Sequence, residues 1–199
     1  KATVTLDVCG HVFPKGHRVR LAVANSFWPM IWPSPEKVTL KLDLATAEFT
    51  LPIFTGKDTE GPNMEAKCAP LTPMTVLKEG VVNREITYDL LTDSWTSITD
   101  GVGGVFGEGI YRFDDIGTVV EHNLKRILTV SNSDPSDARY EIIQKMKNGR
   151  PGWEIDCDID VVQTADKENF YLTGFMDASI NGEHAFHRDY DVTVPRNGL

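Results

Sequence analysis

Two histidines three residues apart, His184 and His187, stand between Glu183 and Asp189. Imidazoles and carboxylates in such proximity are the raw material of a transition-metal site. In a strand, however, residues three apart point to opposite faces, so the two rings converge only if a bulge intervenes, and solvated surface histidines are expected. Asp156, Asp158 and Asp160 alternate with Cys157, Ile159 and Val161, which places the three carboxylates on one face of a strand. They resemble the start of a calcium loop. That loop needs Gly at its sixth position and Glu at its twelfth, where this chain has Val161 and Lys167, so a solvated acidic face is the expectation. For nucleophilic catalysis a serine must sit on a strained G-x-S-x-G turn between strand and helix; Ser26, Ser94, Ser97 and Ser179 all lack the flanking glycines. Cys9, Cys68 and Cys157 are odd in number and widely spaced, without a C-x-x-C pair. No zinc site or disulfide framework is implied, and reduced, cytoplasmic surroundings are predicted. None of these patterns calls for a metal or a cofactor.

The aromatic stretch Phe27 to Pro35 is different in kind. Phe27, Trp28 and Trp32 are held by Pro29, Pro33 and Pro35, which remove backbone donors and restrict their neighbours, so the segment is neither helix nor central strand. An ordered aromatic loop results. Such a rigid apolar surface packs in an interdomain groove or stacks on a sugar ring.

The elements around these residues read as all-β. Val4, Leu6 and Val8 alternate with polar neighbours, as do Val19, Leu21 and Val23, and further strands are expected at Val38 to Leu42 and Glu48 to Ile53. From Thr55 to Pro73 the periodicity stops and Gly, Pro and charged residues accumulate, which predicts a linker or long loop over 55–75. Beyond it, alternating runs recur at Glu85 to Leu90, Ser94 to Ile98, Val119 to Val130, Arg139 to Met146, Trp153 to Val162, Phe170 to Met176 and Phe186 to Val194. Asp137 to Lys147 has helical propensity, but it runs into a turn and a strand of equal length, so it is read as a strand. Asn148-Gly149 and Asn181-Gly182 are the expected hairpin turns, because Asn and Gly tolerate positive φ. The predicted fold is an antiparallel β-sandwich with jelly-roll character: closing strands over 1–54, a linker, and a β-rich extension over 76–199.

Composition excludes several classes. With 41% hydrophobic and 25% charged residues the chain is an ordinary globular one. A net charge of −9 without clustered Lys and Arg argues against nucleic acid as a partner, and no apolar run is long enough to predict a membrane span.

The stretch Phe13-Pro14-Lys15-Gly16-His17-Arg18-Val19-Arg20-Leu21-Ala22, continuing through Trp28-Pro29-Met30-Ile31-Trp32-Pro33-Ser34-Pro35-Glu36, resembles the C-terminal region of the CocE/NonD hydrolases. These are the X-Pro dipeptidyl peptidases and cocaine esterases. Tyr111-Arg112-Phe113, Asp134-Pro135, Gly152-Trp153 and Val194-Pro195-Arg196 are similar to the β-rich extension of longer members. Lys37 and the terminal Asn197-Gly198-Leu199 depart from that pattern. The resemblance implies a non-catalytic β region. Its Ser-His-Asp triad would lie in an N-terminal α/β-hydrolase domain, so no catalytic residue is assigned and the chain alone is expected to be inactive. Phe27, Trp28, Trp32, His17 and Arg18 are the candidate interface or ligand-binding residues. The implied partner is the hydrolase domain; the apolar faces and unpaired strand edges of 1–54 are expected either to pair with a second copy in a homodimer or to fold back onto the sheet of 81–199. The rival reading is an independent carbohydrate- or ligand-binding module that uses the Trp28/Trp32 loop.

Overall fold

The computed structural model describes residues 2–56, 68–103 and 109–197. Among them there is no helix, and nine strands form a single open antiparallel sheet. The strands are β1 (Met74–Lys78), β2 (Val81–Asp89), β3 (Ser94–Val102), β4 (Ile110–Phe113), β5 (Thr118–Ser131), β6 (Arg139–Arg150), β7 (Trp153–Ala165), β8 (Asn169–Ile180) and β9 (Glu183–Pro195). The all-β antiparallel class expected from the alternating pattern is the class observed.

From β5 to β9 the chain is a meander in which each strand pairs with the next. On its other side β5 is shared. Its C-terminal part pairs with β3, which pairs with β2, while Thr118 to Val120 pairs with β4, which pairs with β1. Arg139–Arg150 is a strand despite its helical propensity, because each side receives a ladder partner.

The turns divide the expectations. Asn181 and Gly182 both take positive φ, 51° and 79°, between β8 and β9, as the two-residue hairpin turn requires. Asn148 and Gly149, by contrast, lie inside β6, paired with Ile155 and Glu154. The turn falls at Pro151-Gly152, where proline presets the first position and Gly152 supplies a φ of 84°. Proline cannot donate to the ladder, so the pairing ends ahead of Pro151 rather than at Asn148-Gly149.

Residues 2–56 depart from expectation more strongly. The strands expected around Val4 to Val8, Val19 to Val23, Val38 to Leu42 and Glu48 to Ile53 form no ladder; one isolated bridge, Phe27 to Ile31, is the only pairing there among the described residues. Alternation reports which face of a strand would be buried, but a ladder needs a neighbour, and these segments run extended with their apolar residues exposed. Of the expected linker, residues 57–67 lie outside the described residues, as do the terminal residues 198–199.

Register sorts the sheet into two unlike faces. One carries Ile142, Val161, Leu172 and Val192, with Leu124, Ile159, Phe186 and Tyr190 on the same face. The other carries the charges, including Lys147 Nζ at 2.9 Å from Glu154 and 3.6 Å from Asp156, and Lys145 at 3.8 Å from Asp158. The three aspartates of β7 lie on this charged face, as their spacing requires. Pro33, Ala138 and Cys157 are the buried apolar side chains among the described residues, so most of the apolar face has no second layer over it.

Candidate functional site

The aromatic loop is closed at its base. Asn25 Nδ2 donates to Val38 O at 2.6 Å, tying the two stems together across 13 positions. Within the loop Ile31 N donates to Phe27 O at 2.8 Å, and the Trp28-Pro29 peptide is cis. Trp28 and Trp32 meet edge to face with centroids 4.9 Å apart, an arrangement that suits the ring quadrupoles. Both indoles are half-buried, whereas Phe27 is 63% exposed on the outer side.

The loop is seated on one end of the apolar face. Trp28 lies 6.4 Å from the ring of Tyr140 at the start of β6, and Trp32 lies 5.8 Å from Phe170 at the start of β8. Trp32 Nε1 is shielded and has no hydrogen-bond partner among the described residues. Behind the loop, Arg196 provides the clamp. Its guanidinium is 4.8 Å from the Phe170 ring, Nη2 donates to Pro33 O at 2.6 Å, Nη1 donates to Asp166 O at 3.0 Å, and its backbone N donates to Glu168 O at 2.8 Å. At 2% exposure it is the most completely buried large side chain among the described residues. Burial pulls the Arg196 pKa down, and the Asp166 carboxylate opposes that shift. Hydrogen bonds from a charged donor contribute about 1.5–3 kcal/mol each, against about 0.5–2 kcal/mol for a cation over a ring, so the carbonyl contacts dominate the clamp.

Asp166 is itself part of the support. Its carboxylate accepts from Tyr171 Oη at 2.6 Å and from the backbone N of Glu168 and Asn169 at 2.7 and 2.8 Å. The Tyr171 hydroxyl first, and then the two amides, hold its pKa below the ordinary carboxylate value.

The sequence candidates therefore separate. Trp28 and Trp32 are joined to the sheet, Phe27 is exposed, and His17 and Arg18 are exposed at the end of the Pro14–His17 turn, with no described side-chain contact to the loop. Tyr140, Phe170 and Arg196 were not among the candidates. Val194-Pro195-Arg196 enters the sequence reading only through its similarity to a β-rich extension, and no local pattern marks an arginine 163 positions away as the partner of Pro33.

The histidines are exposed surface residues, as expected, and the bulge that their convergence requires is present. The register slips between Ala178 and Ser179 so that Ala185 is the extra residue of a bulge, and both rings turn to the same aspartate. His184 Nε2 is 3.0 Å and His187 Nδ1 3.8 Å from Asp177 Oδ1, and His187 Nε2 is 3.3 Å from Asp189. No group of three His, Cys, Asp or Glu residues is placed to hold a metal among the described residues. A separate open recess of about 590 Å³ lies at the far end of the sheet, lined by Lys147, Arg150, Trp153, Glu154 and Asn181 among others; none of the sequence candidates reaches it.

The part of the chain that carries the loop has a recognisable relationship. A family model for the X-Pro dipeptidyl-peptidase C-terminal non-catalytic domain matches residues 1–67. The match includes the whole aromatic loop and stops before β1, so the sheet lies outside it. No curated protein and no solved structure is a match to the chain.

Proposed function

We propose that the chain is the non-catalytic C-terminal β region of a CocE/NonD-like serine hydrolase acting on esters or X-Pro peptides. In this reading residues 1–54 are the closing strands of a jelly roll, 55–75 a linker and 76–199 an extension. The region packs on the catalytic domain, shapes its substrate pocket and assists oligomerisation as a homodimer. The observation that carries the proposal is the family match over 1–67, which contains the Trp28/Trp32 loop. The loop's docking on Tyr140 and Phe170 supports it, since it gives the matched segment a fixed place on the sheet. The exposed apolar rows at Val4 to Val8 and Val19 to Val23 support it too, because such rows fit a sandwich whose other strands lie elsewhere. The carbohydrate-module reading draws less support, because Trp28 and Trp32 direct their rings at each other and at the sheet.

Two measurements test the proposal. The isolated chain should hydrolyse neither p-nitrophenyl esters nor X-Pro chromogenic substrates above background, and turnover blocked by a serine-directed phosphonate would overturn it. The reading frame upstream of Lys1 should encode a G-x-S-x-G strand-turn-helix; a frame without one removes the parent enzyme.

A further inference from the structure

The apolar face of the sheet has an electrostatic sign. Arg84 and Arg126 share it, in one cross-strand row through Thr99, and that row continues through Ile142, Val161, Gly174 and Tyr190. His122 and Arg188 lie on the same face. Of the strand carboxylates among the described residues, only Glu183 is in register with it, at the β8–β9 turn and far from Arg126. The remaining strand acids project from the opposite face, where Lys145, Lys147 and the two C-terminal histidines answer some of them. Arg188 lies 5.0 Å from the Tyr190 ring, but Arg84 and Arg126 have no ion pair among the described residues.

A second observation points the same way. Arg126 Nε and His122 Nε2 are shielded from solvent and have no hydrogen-bond partner among the described residues. With its Nε shielded, Arg126 has the remaining guanidinium donors to offer a partner, and a carboxylate is the group that answers a guanidinium best. Around these donors the surface is apolar and open: Ile86 and Trp95, on the neighbouring strands β2 and β3, are 69% and 44% exposed. Contiguous apolar area of this kind is characteristic of a surface that another body covers.

We infer that the apolar face of β2, β3 and β5–β9 is a docking surface for a partner protein segment that presents apolar side chains with Asp or Glu set among them, a carboxylate meeting Arg126. Charge complementarity selects this occupant. A second copy packed face to face would bring together two surfaces of the same positive sign, each with Glu183 as its one strand carboxylate among the described residues. A bilayer would draw Arg126, which is in the middle of the sheet rather than at its rim, into hydrocarbon, where an arginine is expensive. Backbone groups inside the sheet are already paired, so recognition runs through side chains rather than added strands. The inference does not depend on the parent enzyme proposed above: a reading frame without a hydrolase leaves it standing.

The test uses the full chain and two synthetic amphipathic helical peptides with the same leucine pattern, one carrying Glu and the other Lys beside the leucines. Binding is followed by the methionine methyl resonances, since Met146 and Met176 lie on the apolar face and Met30 lies in the aromatic loop. The Glu peptide should bind about tenfold or more tighter than the Lys peptide, as close interfacial charge pairs allow, and should shift Met146 and Met176 rather than Met30. Arg126→Glu should reverse the preference. If circular dichroism shows that variant unfolded, Arg126→Gln replaces it and should abolish the preference without reversing it. Equal affinity for both peptides, or no binding of either, would overturn the inference. So would shifts of the same methyls produced only by phosphatidylglycerol vesicles, or by self-association in the absence of peptide.

Discussion

Arg196 joins three segments that are remote in sequence: the aromatic loop at Pro33, the β7–β8 turn at Asp166 and Glu168, and the end of β9. Its two side-chain donors fork to different carbonyls, a geometry that a lysine ammonium on a flexible stem does not reproduce. Arg196→Ala therefore leaves Pro33 O without its donor and opens a gap beside Phe170, and about 2–4 kcal/mol of stability should be lost. Arg196→Lys should recover less than half of it. Urea denaturation midpoints at constant m-value measure both; a loss below about 0.5 kcal/mol for the alanine variant would show that the clamp is ornamental to stability.

At the scale of elements, the β7–β8 hairpin is the support on which that clamp rests, and its turn is organised by one ionised carboxylate. The Asp166 pKa is lowered from the ordinary 3.8, chiefly by the Tyr171 hydroxyl and then by the Glu168 and Asn169 amides. A carboxylate whose folded value is depressed contributes stability that is present above its unfolded value and is lost as pH falls through the folded one. The stability difference between wild type and Asp166→Asn should therefore be constant above the ordinary carboxylate range and shrink on acidification below it. A difference that stays flat into strong acid would assign the turn's stability to something other than this charge. The strands on either side tolerate little change at Gly174, where an added Cβ would collide with the Asp160 carbonyl and approach Val161 Cα at 2.9 Å. The absence of a side chain there lets β8 lie close against β7.

For the whole molecule, the aromatic loop makes the two ring contacts, among the described residues, between the segment matched by the family model and the sheet beyond it. Replacing both Trp28 and Trp32 by Ala should remove about 2–4 kcal/mol, less than for two fully buried indoles because each ring is only half-covered. It should also release residues 2–56 to proteolysis while β5–β9 stay protected from hydrogen exchange. Simultaneous loss of protection in the meander would show that loop and sheet unfold as one cooperative unit.

Period-two alternation was enough to read the all-β class, the seven longer strands and the acidic face of Asp156, Asp158 and Asp160 from the residues alone, because side-chain direction in a strand is a local property. The Asn181-Gly182 turn was legible for the same reason, since positive φ is a local demand. Pairing is not local. The residues of 2–56 alternate as well as those of β7 do, yet they form no ladder, while β4, too short to show a period, is a strand because β5 has an open side for it, and β1 because β4 does. The convergence of His184 and His187 on Asp177 depended on a single extra residue in β9, and the seat of Trp32 depended on an arginine at the other end of the chain. Which face a residue takes follows from its neighbours in sequence; what stands opposite that face follows from the register of the sheet and the route of the chain, and only the tertiary structure decided it.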